Sequence, residues 1–323
     1  MCGYIMLLYF AGRINYLNQS SPVKSTKRTW KIKSVDTMKY SRDLALEQLH
    51  NPAFDENIED QVKAIVATGA NYIAIGTPYD EQFFPYLKRW VSISRKYRLN
   101  IWLRGNFSGW QGWFNYKIIN DPNEHVRLIR EFIANHPTLF EEGDIFDPCT
   151  ECENGSYGDP RDTQLISEYR QFLINERNTA IAEFQKIGIN VTVLTSMNFD
   201  VARLIMDKET AKAMGSIVTI DHYVKQPQKL HDDIANLAKQ SEAKIILGEF
   251  GAPIPDIHGR FTEAEQADWI NNVLTLISRQ KDLIGLNYWV AAGGTTSILN
   301  QKNSQRFGAF ILEKFYKLES LPD

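Results

Sequence analysis

Cysteine is scarce in this chain: Cys2, Cys149 and Cys152 are the only three in 323 residues, so no multi-bridge disulfide framework can carry the fold. Cys149 and Cys152 form a lone C-x-x-C. With no second such pair and no histidines at ligand spacing, a structural zinc centre is not supported. A thioredoxin-like redox pair would open a helix after a first strand, which this one does not. The pair reads as two small residues beside a carboxylate, disulfide-linked if the protein is exported. Basic excess is missing too: 36 Lys and Arg stand against 39 Asp and Glu, a net charge of −3, which gives nucleic acid nothing to bind. No G-x-G-x-x-G, G-x-x-x-x-G-K-[ST] or H-E-x-x-H occurs, which argues against a phosphate-binding open sheet and a zinc peptidase. Neither a cofactor nor a metal is called for.

A membrane-spanning run is absent as well. The apolar stretch at residues 4–11 is far shorter than the roughly 20 residues a bilayer requires. It lacks a basic flank before it and a small-residue cleavage site after it, so it makes a poor signal peptide. Residues 1–30 read either as the tail of a membrane anchor plus a polar linker or as an ordinary segment lying on the domain. The first places the protein outside the cell or anchored facing outward, the second in the cytoplasm. Any membrane association would run through that segment alone.

What the sequence does have is regular alternation. Strand-length apolar runs at residues 32–38, 71–76, 99–104, 144–151, 190–196, 216–221, 245–249 and 284–289 are each followed by a helix-patterned stretch. Within residues 54–68, for example, Ile58, Val62, Ile65 and Val66 recur at helical spacing. Pro122 sits in the first turn of another helix, and Thr262 with Glu265 makes a capping box for the seventh. Eight such units with short connections and right-handed crossovers predict a single-domain α/β fold, a (β/α)₈ TIM barrel over residues 31–323. A chain of this length fits one such core, as a monomer.

In that fold chemistry sits at the C-terminal ends of the strands. The run Ile245-Ile246-Leu247 ends on Gly248-Glu249-Phe250-Gly251, and half a barrel earlier Asp144-Ile145-Phe146 leads to Thr150-Glu151-Cys152-Glu153-Asn154. Two carboxylates facing each other across a barrel mouth suggest glycoside hydrolysis.

The strand ends resemble clan A of the glycoside hydrolases, retaining enzymes on a (β/α)₈ barrel, over about residues 33–318. The resemblance implies that Glu249, in Leu247-Gly248-Glu249-Phe250-Gly251, is the nucleophile. It implies that Tyr223, in His222-Tyr223 after strand six, contacts it, and that Trp289 at the end of strand eight floors the sugar subsite. Strand four departs from the clan's Asn-Glu-Pro: Glu151 aligns with the acid/base, Glu153 is its rival, and no asparagine precedes Glu151 to meet a sugar 2-hydroxyl. The implied activity is retaining hydrolysis of a β-linked oligo- or polysaccharide, the alternative being a catalytically silent carbohydrate-binding barrel. A metal-dependent hydrolase lacks a histidine cluster.

The loop after strand three, residues 104–116, is rich in glycine and aromatic residues in a chain with seven tryptophans. Trp110 and Trp113 read either as sugar-stacking faces or as rings folded onto the barrel rim. Arg104 and Asn106 lie where they can reach a substrate hydroxyl. Lys39 and Arg42 read as substrate contacts or as a rim ion-pair network, and Asp221 either orients His222 or caps its strand.

Overall fold

The computed structural model describes residues 30–37, 41–107, 119, 121–154 and 158–317. The N-terminal segment, Lys39, Trp110 and Trp113 lie outside the described residues, as does the side chain of Arg42.

Nine parallel strands, β1 (Ile32–Asp36), β2 (Tyr72–Ile75), β3 (Asn100–Leu103), β4 (Ile145–Phe146), β5 (Thr192–Val193), β6 (Ser196–Asn198), β7 (Ile217–Asp221), β8 (Lys244–Phe250) and β9 (Leu283–Tyr288), pair in the order β5-β4-β3-β2-β1-β9-β8-β7-β6. The two ends of that order are separated in sequence only by Leu194 and Thr195. They are therefore two halves of one barrel strand: the first pairs with β4 and the second with β7, and the sheet closes through the chain itself. The Leu194 amide donates to Phe146 O at 3.1 Å, and the Glu151 amide donates to Ser196 O at 2.9 Å, across the break. The eight-unit barrel read from the alternation is the fold, with its fifth strand interrupted. The helical stretch that follows it is likewise two, Phe199–Ile205 and Lys208–Ala213.

The side-chain period of two sorts the strand residues between two apolar clusters. Ile32, Ala74, Trp102, Ile145, Leu194 and Ile246 fill the barrel interior. Val35, Ile73, Ile75, Ile101, Leu103, Phe146, Val218, Ile220, Ile245 and Leu247 face outward and pack under the helices. Trp102 is fully buried, and truncating so large a side chain to alanine should cost about 3–5 kcal/mol. Among the helices, Thr262 and Glu265 form the expected reciprocal cap, and Asp121 caps the helix Pro122–Asn135.

The inward positions toward the C-terminal end are not apolar. One or two steps of the period beyond Ile32, Trp102 and Ile145 along the same face stand Ser34 and Asp36, Arg104, and Asp147. A polar layer therefore lies directly above the apolar one.

Candidate active site

Glu249 reaches this layer through an irregularity. On β8 the outward-packed residues are Ile245, Leu247 and then Phe250, a step of two followed by a step of three. The pairing register slips at the same place, against both β7 and β9. Such a bulge puts one extra residue on the inner side, so Gly248 and Glu249 both turn toward the mouth. Glycine is needed there: a Cβ on residue 248 would lie 2.3 Å from Asp221 Oδ1.

Arg104, 2 % exposed, is the only cation among the described side chains of this layer. Its Nη1 donates to Glu249 Oε1 at 3.0 Å, to Gly248 O at 2.9 Å and to Asp36 Oδ2 at 3.4 Å, and its Nη2 donates to Asp221 Oδ2 at 2.7 Å. Asn287 Nδ2 donates to Gly248 O at 2.8 Å and to Asp36 Oδ2 at 3.3 Å. The second oxygen of Glu249 accepts from the Tyr223 hydroxyl at 2.6 Å. Burial first, and then Glu249, push the Tyr223 pKa far above the ordinary tyrosine value, so the tyrosine keeps its proton and Glu249 is the acceptor. The Trp289 ring meets the Tyr223 ring edge-on, with centroids 5.9 Å apart.

Glu151 comes from the opposite side. After the two-residue strand β4 the chain turns through Asp147–Glu151, and Glu151 has φ 48°. Its Oε2 accepts from Asn154 Nδ2 at 2.9 Å. Carboxylate oxygens of Glu151, Asp221 and Glu249 all lie within 4.8 Å of one another.

One guanidinium cannot balance so many carboxyl groups out of water. Burial therefore raises most of them: Asp36 to about 7, Asp147 to about 6 and Glu151 to about 8, with Asp221 well above its ordinary value. For Glu151 the burial is reinforced by the charges of Glu249 and Glu153, and Arg104 and Asn154 oppose it. At neutral pH Glu151 thus holds a proton within reach of a carboxylate that accepts two hydrogen bonds. Arg104 bridges Glu249 and Asp221 through one oxygen of each.

Several residues read as site candidates stand elsewhere. Glu153 is 3 % exposed; its Oε1 accepts from the Asn198 amide and Nδ2 at 2.6 and 3.0 Å, and its Oε2 from Tyr169 at 3.1 Å. It ties the turn to β6 and to the helix Ile166–Ile187, and burial raises its pKa. His222 turns outward: its Nε2 pairs with Asp233 at 2.7 Å and its ring stacks on Phe199 at 4.0 Å. Asp221 accordingly pairs with Arg104 and does not orient His222. Asn106 is buried, its Oδ1 held against His125 Nε2 at 3.0 Å. Arg104 reaches carboxylates, not open solvent. Cys149 and Cys152 form a disulfide. Asp36, Asp147 and Asn287 are the members of the layer that motif reading passes over; counting twos upward from Ile32 and Ile145 finds the two aspartates.

No protein-family model and no curated protein matches the sequence. Solved structures do match its fold. A GH5_18 protein from Streptomyces cattleya in complex with GlcNAc superposes with a TM-score of 0.63 at 10 % identity, over 90 % of this chain and 80 % of that one. The Faecalibacterium prausnitzii beta-glucuronidase gives 0.60 at 14 %, over 92 % of this chain and 51 % of that one, so the chain spans about half the glucuronidase's length. A GH113 beta-1,4-mannanase gives 0.58 at 12 %, over 90 % and 99 %. The likeness is one of fold, a (β/α)₈ barrel shared with these glycoside hydrolase structures. At such identities the likeness carries the fold and nothing finer.

Proposed function

We propose that the chain is a retaining glycosidase acting on a β-linked oligo- or polysaccharide. The observation that carries this is the Glu151–Glu249 pair: their carboxylate oxygens lie within 4.8 Å, burial and the neighbouring charges raise the Glu151 pKa to about 8, and Glu249 accepts from Arg104 and Tyr223. Retaining enzymes hold their carboxyl groups about 5–5.5 Å apart, whereas inverting ones leave roughly 6.5–9.5 Å for a water. In this reading Glu249 attacks the anomeric carbon while Glu151 gives its proton to the departing oxygen. Once the glycosyl-enzyme has formed, the negative charge on Glu249 is gone, the Glu151 pKa drops, and Glu151 takes a proton from the incoming water. Arg104 and Tyr223 hold the Glu249 oxygens, and Trp289 floors the subsite.

One observation favours a second reading. Thr150 stands where the clan has its asparagine and is 2 % exposed, so it offers a sugar 2-hydroxyl no contact. A carbohydrate-binding barrel without turnover accommodates that. Assay of the purified protein against aryl β-glycosides and polysaccharides separates the two. Release of aglycone with a β-configured first product supports the glycosidase; saturable sugar binding with no release from any substrate supports the silent barrel.

A further inference from the structure

The turn that presents Glu151 is closed by a covalent bond of its own. Cys149 and Cys152 are joined with their Cα atoms 5.3 Å apart, and only Thr150 and Glu151 lie between them. We propose that this disulfide is the positioning element for Glu151, so that opening it disables the acid/base half of the reaction and leaves the Glu249 half in place. The kinetic side of this rests on the glycosidase reading above.

Three observations carry it. The first is that Glu151 has φ 48°, the left-handed region that a residue with a Cβ leaves unless its surroundings hold it there. The second is the shortness of the strand behind Glu151 and the sparseness of bonds on its carboxyl. β4 contributes two residues of ladder before the turn, whereas Glu249 sits within the seven-residue β8. The bonds in the turn, Glu151 N to Ser196 O at 2.9 Å, Asn154 N to Glu151 O at 2.8 Å and Cys149 N to Asp147 Oδ1 at 3.2 Å, hold its backbone and leave the direction of the Glu151 side chain to the local turn geometry. On the carboxyl itself, among the described residues, there is the single Asn154 bond. The third is ring size. Closing so few residues constrains the unfolded chain less than any longer loop would, so the bond acts on the local geometry of the turn more than on global stability. Both sulfurs are buried, and His125 brings a ring nitrogen within 4.8 Å of each.

Reduction by a dithiol such as dithiothreitol opens the bond. One reagent thiolate attacks a cystine sulfur, the S–S bond breaks, and the second reagent thiol closes a cyclic disulfide. Two electrons and two protons pass to the protein, which is left with two thiols. The experiment compares the oxidised protein, the reduced protein and Cys149→Ser/Cys152→Ser, with EDTA present because the freed thiols and His125 would make three metal ligands. Alkylation and mass measurement check that reduction of the Cys149–Cys152 bond frees two further thiols. On a series of aryl glycosides, the reduced and the double-serine proteins are expected to lose on the order of 10²-fold on poor leaving groups, part of what an acid catalyst contributes. The burst of an activated dinitrophenolate should survive, and reoxidation should restore the reduced protein. Independently of turnover, the ¹³C carboxyl resonance of Glu151, assigned through Glu151→Gln, should titrate closer to an ordinary glutamate after reduction, because the carboxyl leaves its place beside Glu249, Glu153 and Arg104. An unchanged leaving-group dependence or an unchanged Glu151 titration would overturn the proposal. So would equal loss on all substrates accompanied by unfolding. If the oxidised protein cleaves no glycoside at all, the functional reading fails, and the carboxyl titration still decides this one.

Discussion

Glu249 and Glu151 reach the same mouth by different means. Glu249 rides a seven-residue strand hydrogen-bonded on both sides, is turned inward by one bulge, and has both oxygens held, by Arg104 and by Tyr223. Glu151 hangs from a two-residue strand on a turn with a left-handed residue, closed by a disulfide, and has one side-chain donor among the described residues. The rigid, donor-rich side suits a group that must remain a charged acceptor. The half-buried, donor-poor side suits a group that must hold a proton and then release it. The same barrel gives both because the strand ends differ, not because the residues do.

The strongest way to break the comparison is to remove the held side. Glu249→Ala takes away the covalent intermediate, and turnover should fall on the order of 10⁴-fold or more on every substrate, measured as kcat across the aryl glycoside series. Removing the other side should act unevenly. Glu151→Ala should lose about 10²–10⁴-fold on poor leaving groups and far less on activated ones, while Glu153→Ala, which cuts the tie to Asn198 and Tyr169, should show no such dependence. A dependence on leaving group in Glu153→Ala instead would exchange the two roles.

Smaller changes sharpen the picture. Tyr223→Phe removes one of the two donors on Glu249; a hydrogen bond to a charged group is worth about 1.5–3 kcal/mol, so kcat should drop roughly 10- to 100-fold with the fold retained by circular dichroism. The mildest effect lies in stability. Asp36, Asp147 and Glu151 bind protons in the folded protein up to about 7, 6 and 8, against 3.8 to 4.5 as their ordinary values. Between those limits the folded state holds more protons than the unfolded one, so stability present below about pH 4 is lost as pH rises toward 8. The Tm should fall across that range, and Glu151→Gln should flatten its upper part by on the order of a few °C.

The held side was also the legible side. The apolar run before Glu249, the arginine ending β3 and the tryptophan ending β9 are strand-end residues that a count of alternations locates, and the barrel followed from the same count. Asp36 and Asp147 obey that period too and could have been read from Ile32 and Ile145. What alternation could not reach was every departure from it. The bulge that puts Gly248 and Glu249 on one face is a fault in register, and the break of the fifth strand at Leu194-Thr195 leaves no apolar gap. The turn around Glu151 depends on a positive φ and a disulfide that three cysteines only allow. His222 and Asp221 are adjacent and face opposite ways, one to Asp233 on a helix and the other to Arg104 inside, which composition does not distinguish.

The division of labour between the two glutamates is tested most directly by the anomeric configuration of the azide products, read by ¹H NMR. With Glu249→Ala, azide should take the place of the missing carboxylate and give an inverted, α-configured glycosyl azide. With Glu151→Ala and an activated β-glycoside, azide should attack the glycosyl-enzyme on Glu249 and give the retained β-azide. The same configuration from both variants, or β-azide from Glu249→Ala, would contradict the account.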